Sequence, residues 1–435
     1  MQVLLRGFIF RIIFTGIGFL VSLLIAKFAG ADQFGTLSLM IVNAAFIYII
    51  TGLGTDAAIV WHGITGKNYD RDKIFSFTLI TGGIQLFFFY IIAIFGYLFL
   101  GHTLLGGNYG LKIFFAEIIY FTGLVIAEKF TSLYYSQHEA KLCNRILAIV
   151  SLVLFLSIIM LSVANPELIK EDTIWLYSLF IFIPAFALLL SFFFKYRPAF
   201  TGISEEEYRS FSSFSAIVLI TNVIQFIAFR ADYWIISLYY DHDVLGVYAQ
   251  ASKFAQLLWI IPGILANLVT PALKNEQEKL TMTGLLSVTR LSFYLHLLLS
   301  ILLIATALII YLFFLPSEYI NGFSPLLMML PGYLLFIITT MLAAYFSANR
   351  LLKVNLYGSV LCCALILIFD WFLIPLFSYE GAAIANLLAY SITTFYFIYR
   401  ASVIMKITLA DLFIIRRSDL HLFSTKILKP VTEKE

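Results

Sequence analysis

The sequence predicts an all-α integral membrane protein of about twelve transmembrane helices, built as two six-helix pseudo-symmetric bundles around a central cavity with alternating access. Three features predict it. Hydrophobic residues make up 61% of the 435, charged residues 12%, and mean hydropathy is +0.96. A soluble domain carries roughly 25% charge and has no core large enough for so much apolar surface. The apolar residues come in unbroken runs, such as Phe87-Phe-Phe-Tyr-Ile-Ile-Ala-Ile. The pattern of the first two spans also returns near mid-chain.

A hydrocarbon core of about 30 Å takes about 20 helical residues to cross. Lipid offers backbone groups no partner, so only helices or closed barrels span it. Barrel strands would alternate apolar and polar residues over roughly ten positions; the runs here are continuous. Spans are expected at 7–29, 37–61, 74–100, 111–135, 143–164, 173–195, 211–239, 245–272, 286–314, 325–347, 354–376 and 380–403. The first is too long for a signal-peptide core and shows no clear cleavage pattern, so it reads as an uncleaved insertion signal. The longest polar insert, Tyr196–Ser210 with Glu205-Glu206-Glu207, divides the chain into a bundle over 1–195, a linker over 196–210, a bundle over 211–403 and a basic tail over 404–435. Ile404 to Arg417 reads either as a short amphipathic helix on the inner leaflet or as a simple basic anchor. Cys143, Cys362 and Cys363 are odd in number and lack metal-ligand spacing, which suits free apolar fillers.

Lys and Arg set the orientation. With the N-terminus inside, 22 of them fall in cytoplasmic segments, against Lys27, Lys112 and Lys170 outside. That bias over short loops places both termini in the cytoplasm. The outward connections leave no room for an external catalytic domain.

Placing Phe34-Gly35 on Leu245-Gly246 gives an offset of 211 (246 − 35). Asp32 then falls on Asp243, Tyr48 on Trp259 and Gly52 on Gly263, without a gap. Two six-helix halves in the same orientation imply a pseudo-two-fold axis along the membrane normal and a substrate path between them.

The stretch Lys27-Phe-Ala-Gly-Ala-Asp-Gln-Phe-Gly-Thr-Leu-Ser-Leu resembles the first inter-helix loop of the polysaccharide-transport (O-antigen flippase) family. That family lies within the multidrug/oligosaccharidyl-lipid/polysaccharide exporter superfamily. Arg230-Ala-Asp232-Tyr-Trp-Ile-Ile, Leu245-Gly-Val-Tyr-Ala-Gln-Ala-Ser-Lys-Phe-Ala, Ile260-Ile-Pro-Gly and Pro271 resemble its seventh and eighth helices. The resemblance covers nearly the whole chain, on diffuse motifs. It implies a flippase that moves a polyprenyl-diphosphate-linked oligosaccharide, a repeat unit of O-antigen (lipopolysaccharide), capsule or exopolysaccharide, to the outer leaflet of a bacterial inner membrane. A polysaccharide polymerase and chain-length proteins are the partners it implies, alongside membrane lipids and without nucleic acid. No cofactor is expected beyond a proton or sodium gradient.

Charges inside a membrane are costly and face a cavity or a partner. A diphosphate needs a basic, wet path, and the planar Arg fork suits it better than Lys. Arg230, Lys253, Arg11 and Asp232 are therefore the substrate-binding candidates. Arg230 and Asp232, two apart, do not share a helical face. Their first-half equivalents Phe19 and Val21, and that of Lys253, Val42, are apolar, so the chemistry does not repeat. Arg11 and Arg290, near span ends, also read as snorkelling to the inner leaflet. Asp56 and Glu117 are the ion-coupling candidates, or else neutralise the cations; Asp56 falls on Asn267 in the repeat. Glu128-Lys129 reads equally as a structural pair or a functional one. Gly35, Gly52, Gly246, Pro262 and Gly263 are hinge or packing positions; Gly16, Gly18, Gly54, Gly82, Gly83, Pro184 and Pro331 extend that set.

A cation-coupled drug or metabolite antiporter of the same superfamily is the rival; it predicts an acidic cavity with few cations. A membrane glycosyltransferase, polymerase or ligase would need a long external loop. No phosphate-binding Gly-Lys-Ser/Thr loop, metal set or nucleophilic triad is visible.

Overall fold

Long apolar runs in lipid satisfy their backbone only as helices, and helices are what form. The computed structural model describes residues 2–65, 71–100, 110–274, 282–416 and 419. In order these are α1 (Gln2–Gly52), α2 (Thr55–Thr65), α3 (Arg71–Phe95), α4 (Leu111–Ser136), α5 (Ala140–Ala164), α6 (Pro166–Glu171) and α7 (Thr173–Tyr196). Then come α8 (Glu205–Tyr239), α9 (His242–Gln256), α10 (Ile260–Lys274), α11 (Met282–Phe313), α12 (Phe323–Ala348), α13 (Leu352–Met405) and α14 (Leu409–Phe413). No strand occurs among the described residues. Among them, nine helical segments are long and apolar enough to cross a membrane, so the chain is a multi-pass membrane protein. α1 and α13 each join two arms, at Gly30 (φ 82°) and Ser378 (φ 53°). α4 is 26 residues long but carries Lys112, Glu117, Glu128 and Lys129. Of the expected elements, the loop at 101–109 and most of the tail beyond 416 lie outside the described residues.

Two expected spans are interrupted. The span at 37–61 breaks at Gly52-Leu53-Gly54, where Leu53 (φ 50°) and Gly54 (φ 72°) are left-handed, and restarts as α2. The span at 245–272 breaks at a 3-10 turn, Leu257–Trp259, just before Pro262-Gly263. Pro262 then stands in the first turn of α10, where a missing N–H breaks no helical bond.

Backbone contacts divide the chain into two compact units, 1–246 and 247–435. In the first, α4, α5 and α7 pack through Phe130, Leu133, Tyr134, Leu147, Leu188 and Phe192. α8 packs on α1 and α2 and so groups with this unit; its Trp234 Nε1 donates to Asn43 Oδ1 at 2.7 Å. Gly35 and Gly246 make a reciprocal approach. A Cβ on Gly35 would run into the His242 carbonyl, and one on Gly246 into the Ala31 carbonyl. Each obstacle stands four residues before the other glycine.

In the second unit, α12 and α13 pack through Ile338, Leu342, Phe346 and Phe397, and the start of the tail adds Leu412 to that core. Here one expectation is corrected. Arg290 does not snorkel: it is 2% exposed, and its Nε donates to Asp419 Oδ2 at 2.7 Å and its NH2 group to Oδ1 at 2.5 Å. Ser287 adds a bond to the same carboxylate. An exposed guanidinium keeps its hydration, whereas this one exchanges it for a bidentate partner. Those Arg290 bonds hold the Asp419 carboxyl well below the usual carboxylate range.

The 211-residue offset also extends beyond the second span. It lays Tyr134-Tyr-Ser on Tyr345-Phe-Ser and Asn144 on Asn355. Each asparagine bonds within its own turn, Asn144 Oδ1 accepting from Tyr135 Oη (3.1 Å) and Asn355 Nδ2 donating to Ser347 Oγ (2.8 Å).

Candidate functional site, an ion pair at a broken helix

The break at Gly52–Gly54 creates a helix N-terminus where an uninterrupted span would have none. Four N–H groups there lack intrahelical partners, and the dipole favours negative charge. Asp56 sits in the first turn of α2. Lys129 reaches it from α4, with Nζ 2.9 Å from Asp56 Oδ1 and 2.5 Å from Thr55 Oγ1. Tyr48, in the last turns of α1, donates to Asp56 Oδ2 at 2.5 Å. Gln85 of α3 donates to the Tyr48 carbonyl at 3.0 Å, and Thr55 to that of Gly52 at 2.7 Å. Both carbonyls belong to the last turns of α1; Thr55 supplies the bond that the Gly52 carbonyl lacks at the helix end, and Gln85 adds a second one to Tyr48.

The group is graded in exposure. Lys129 and Gln85 are buried, the Asp56 side chain is 27% exposed, and Glu128, next to Lys129, is exposed. Asp56, Arg11 and Lys129 are the charges that act on Glu128. The Asp56–Lys129 pair thus joins α2 to α4, with Glu128 beside Lys129 in sequence and one edge accessible. Gln85 Oε1 is buried with no hydrogen-bond partner among the described residues, an acceptor open to a donor from water or ligand.

The structure therefore joins Asp56 to Lys129 of the Glu128-Lys129 pair, which the sequence offered separately. Glu117 is elsewhere on α4. It is 4% exposed and lies 11 residues before Glu128, about 16 Å along the axis. Arg230 is half-buried on α8 and lies 5.2 Å from the Tyr233 ring, with an NH1 donation to Tyr233 Oη at 3.2 Å. Asp232 is 3% exposed and accepts from the Tyr233 N–H at 2.9 Å. Lys253, in the second unit, is half-buried near the end of α9. Tyr48, Thr55 and Gln85 escaped the sequence reading as site members. Gln85 had a usable signal, a lone amide inside an apolar run.

In the second unit, the 3-10 turn, six residues before the position equivalent to Gly52, carries aromatics. Trp259, the counterpart of Tyr48, stacks on Tyr333 at 4.4 Å and lies edge-on to Tyr390 at 5.6 Å. Tyr390 also packs on Phe336 at 5.0 Å. Asn386 of α13 donates to Tyr248 Oη at 2.9 Å. Among the described residues no cluster of His, Cys, Asp and Glu has the makings of a metal site.

Solved structures share this fold. The lipid II flippase MurJ, in an inward closed conformation, matches with a TM-score of 0.72 at 15% identity, over 93% of this chain and 88% of that one. An inward-facing MATE-family multidrug resistance transporter of the MOP superfamily matches at 0.65 and 14%, over 90% and 95%. The MATE multidrug transporter DinF-BH, in complex with R6G, matches at 0.58 and 12%, over 95% and 96%. At these identities the likeness shows the fold alone. No curated protein matches the chain. The family model described as "Polysaccharide biosynthesis protein" matches residues 7–275, well over half of the sequence. With a membrane fold shared by flippases and exporters, and with that match, the chain belongs to the polysaccharide biosynthesis protein family.

Proposed function

We propose that the protein is a flippase for a polyprenyl-diphosphate-linked oligosaccharide, a repeat unit of O-antigen, capsule or exopolysaccharide, carried from the cytoplasmic to the outer leaflet of a bacterial inner membrane. One observation carries the choice over a drug antiporter. The membrane-embedded carboxylate Asp56 is already matched by Lys129 and bonded by Tyr48. A cationic drug would have to displace that ammonium. An anionic substrate instead gains from cations along its path, and Arg11, half-buried on α1, has the forked geometry for a diphosphate. Arg230 and Lys253 supply further positive charge on α8 and α9. A proton or sodium gradient is the proposed energy source, with Asp56 or Glu117 as the carboxylate that takes the ion. Both termini are assigned to the cytoplasm from the Lys and Arg bias.

The test uses the full-length protein in vesicles loaded with a fluorescent polyprenyl-diphosphate oligosaccharide. Exposure of the label to an external quencher or lectin should require the protein and should fall at least tenfold in an Arg11→Gln, Arg230→Gln, Lys253→Gln triple variant that reaches the membrane normally. Unchanged flipping in the triple variant, or export of cationic dyes by the native protein in its place, overturns the reading. Flipping that continues after ionophore treatment removes gradient coupling.

A further inference from the structure

A cavity of about 270 Å³ lies in the first unit, away from the ion pair. Its walls come from the second arm of α1 (Asp32, Gln33), the start of α4 (Lys112) and the α6–α7 corner (Glu171, Asp172, Trp175). Under the orientation set by the Lys and Arg bias, all three segments are outward turns. Lys112 is ion-paired with Asp172. The lining therefore carries three carboxylates against one ammonium, the opposite balance from what a diphosphate needs. Trp175 is partly buried, and its indole N–H is buried with no hydrogen-bond partner among the described residues. A buried donor left without a partner is destabilising, so a ligand acceptor there would recover that cost.

We propose that this cavity is an outer-face subsite for one neutral or amino-bearing sugar unit of the translocated glycan. Carboxylates and the Gln33 amide are the groups that sort hydroxyls, because a carboxylate accepts from several O–H donors at once. An indole adds a flat apolar face for a ring's C–H side and an N–H donor at its edge. The volume, slightly below the roughly 300 Å³ at which small-molecule sites begin, takes a monosaccharide rather than a whole repeat unit. Excess negative charge rejects both the diphosphate and uronic acids. The site therefore captures the sugar end after crossing and keeps the lipid anchor out. This rests on the flippase reading for the identity of the glycan.

The probe is a panel of methyl glycosides: neutral hexosides, an N-acetylhexosaminide, an amino-hexoside and a hexuronide. Binding is read by saturation-transfer NMR on the full chain in nanodiscs. At least one neutral or amino glycoside should bind and the hexuronide should not. Trp175→Phe, which keeps the ring and removes the N–H, should weaken binding about three- to tenfold. Asp32→Asn, a separate and nearly isosteric change, should weaken it by a similar factor. The proposal is overturned if no glycoside in the panel binds, if the hexuronide binds as well as the neutral sugars, or if neither Trp175→Phe nor Asp32→Asn weakens binding. Vesicle flipping is scored separately. Native protein that flips but binds no glycoside loses the subsite and keeps the flippase reading; native protein that binds glycosides but does not flip does the reverse.

Discussion

Two breaks in two apolar spans, 205 residues apart in sequence and so six short of the repeat offset, are filled in opposite ways. At Gly52–Gly54 the chain turns through two left-handed residues, and charged and amide side chains from α2, α3 and α4 complete the gap. At Leu257–Trp259 it tightens into a 3-10 turn, and Trp259 stacks among Tyr333, Phe336 and Tyr390. A charged filling stores electrostatic free energy that a titrating ion or an anion can redirect. An aromatic filling stores only packing, which has no comparable handle. The difference teaches that both copies of the span are interrupted, six residues out of register, and that among the described residues an ion pair sits at the first break alone.

The strongest way to break this contrast is at Lys129. Lys129→Met should cost about 3–5 kcal/mol, because Asp56 is left charged and unmatched. The measurement is thermal unfolding in detergent together with the amount of protein in the membrane. The double change with Asp56→Asn should recover most of that loss; a double variant as unstable as the single one would mean that the pair does not act as a unit. Next come the glycines. Gly54→Ala should cost about 2–4 kcal/mol, since the position is left-handed and a Cβ would press on the Ser215 carbonyl. Gly263→Ala meets nothing within 4 Å inside a helix and should be neutral, or stabilising by up to about 1 kcal/mol. Equal effects at the two sites would erase the distinction between the breaks.

Tyr48→Phe removes one bond to a charged oxygen and should cost about 1.5–3 kcal/mol. Its counterpart Trp259→Leu should lose about 0.5–1.5 kcal/mol of ring–ring interaction beyond the buried area. The smallest effect concerns pH. The second unit does hold a buried ion pair, Arg290–Asp419, but it ties the tail rather than a break. The Asp419 carboxyl is depressed on folding, so its contribution is complete above the ordinary carboxylate value of about 3.9 and fades as pH falls toward the folded one. Protease sensitivity of the tail should stay flat from neutral pH down to that value. Arg290→Gln should expose the tail at every pH.

The helical membrane class was readable because hydropathy acts locally and every span declares itself. The repeat was readable where glycine and aromatic positions recur without a gap. The site was readable only as separate charges. Asp56 and Lys129 are 73 positions apart, and Arg290 and Asp419 are 129 apart, so no spacing rule joins either pair. Gly52 and Gly54 were visible as a flexible pair inside one expected span. That the helix stops there depends on Gln85 and Lys129 reaching in from other helices, which is tertiary information. Pro262 shows the opposite case: it marked the second break to within a few residues, because proline acts on its own backbone.

The ion pair also has a schedule. Asp56 leaves the ribosome 73 residues before Lys129, and at about 5–20 residues per second that interval is about 4–15 s. During it the nascent chain has Tyr48 for that carboxylate, but not the ammonium that later matches it. The first spans must therefore wait, incompletely neutralised, for the fourth helix to arrive. A pause or a truncation between residues 56 and 129 would strand an unmatched charge at the membrane, and quality-control proteases can recognise such a chain before the second unit has been made.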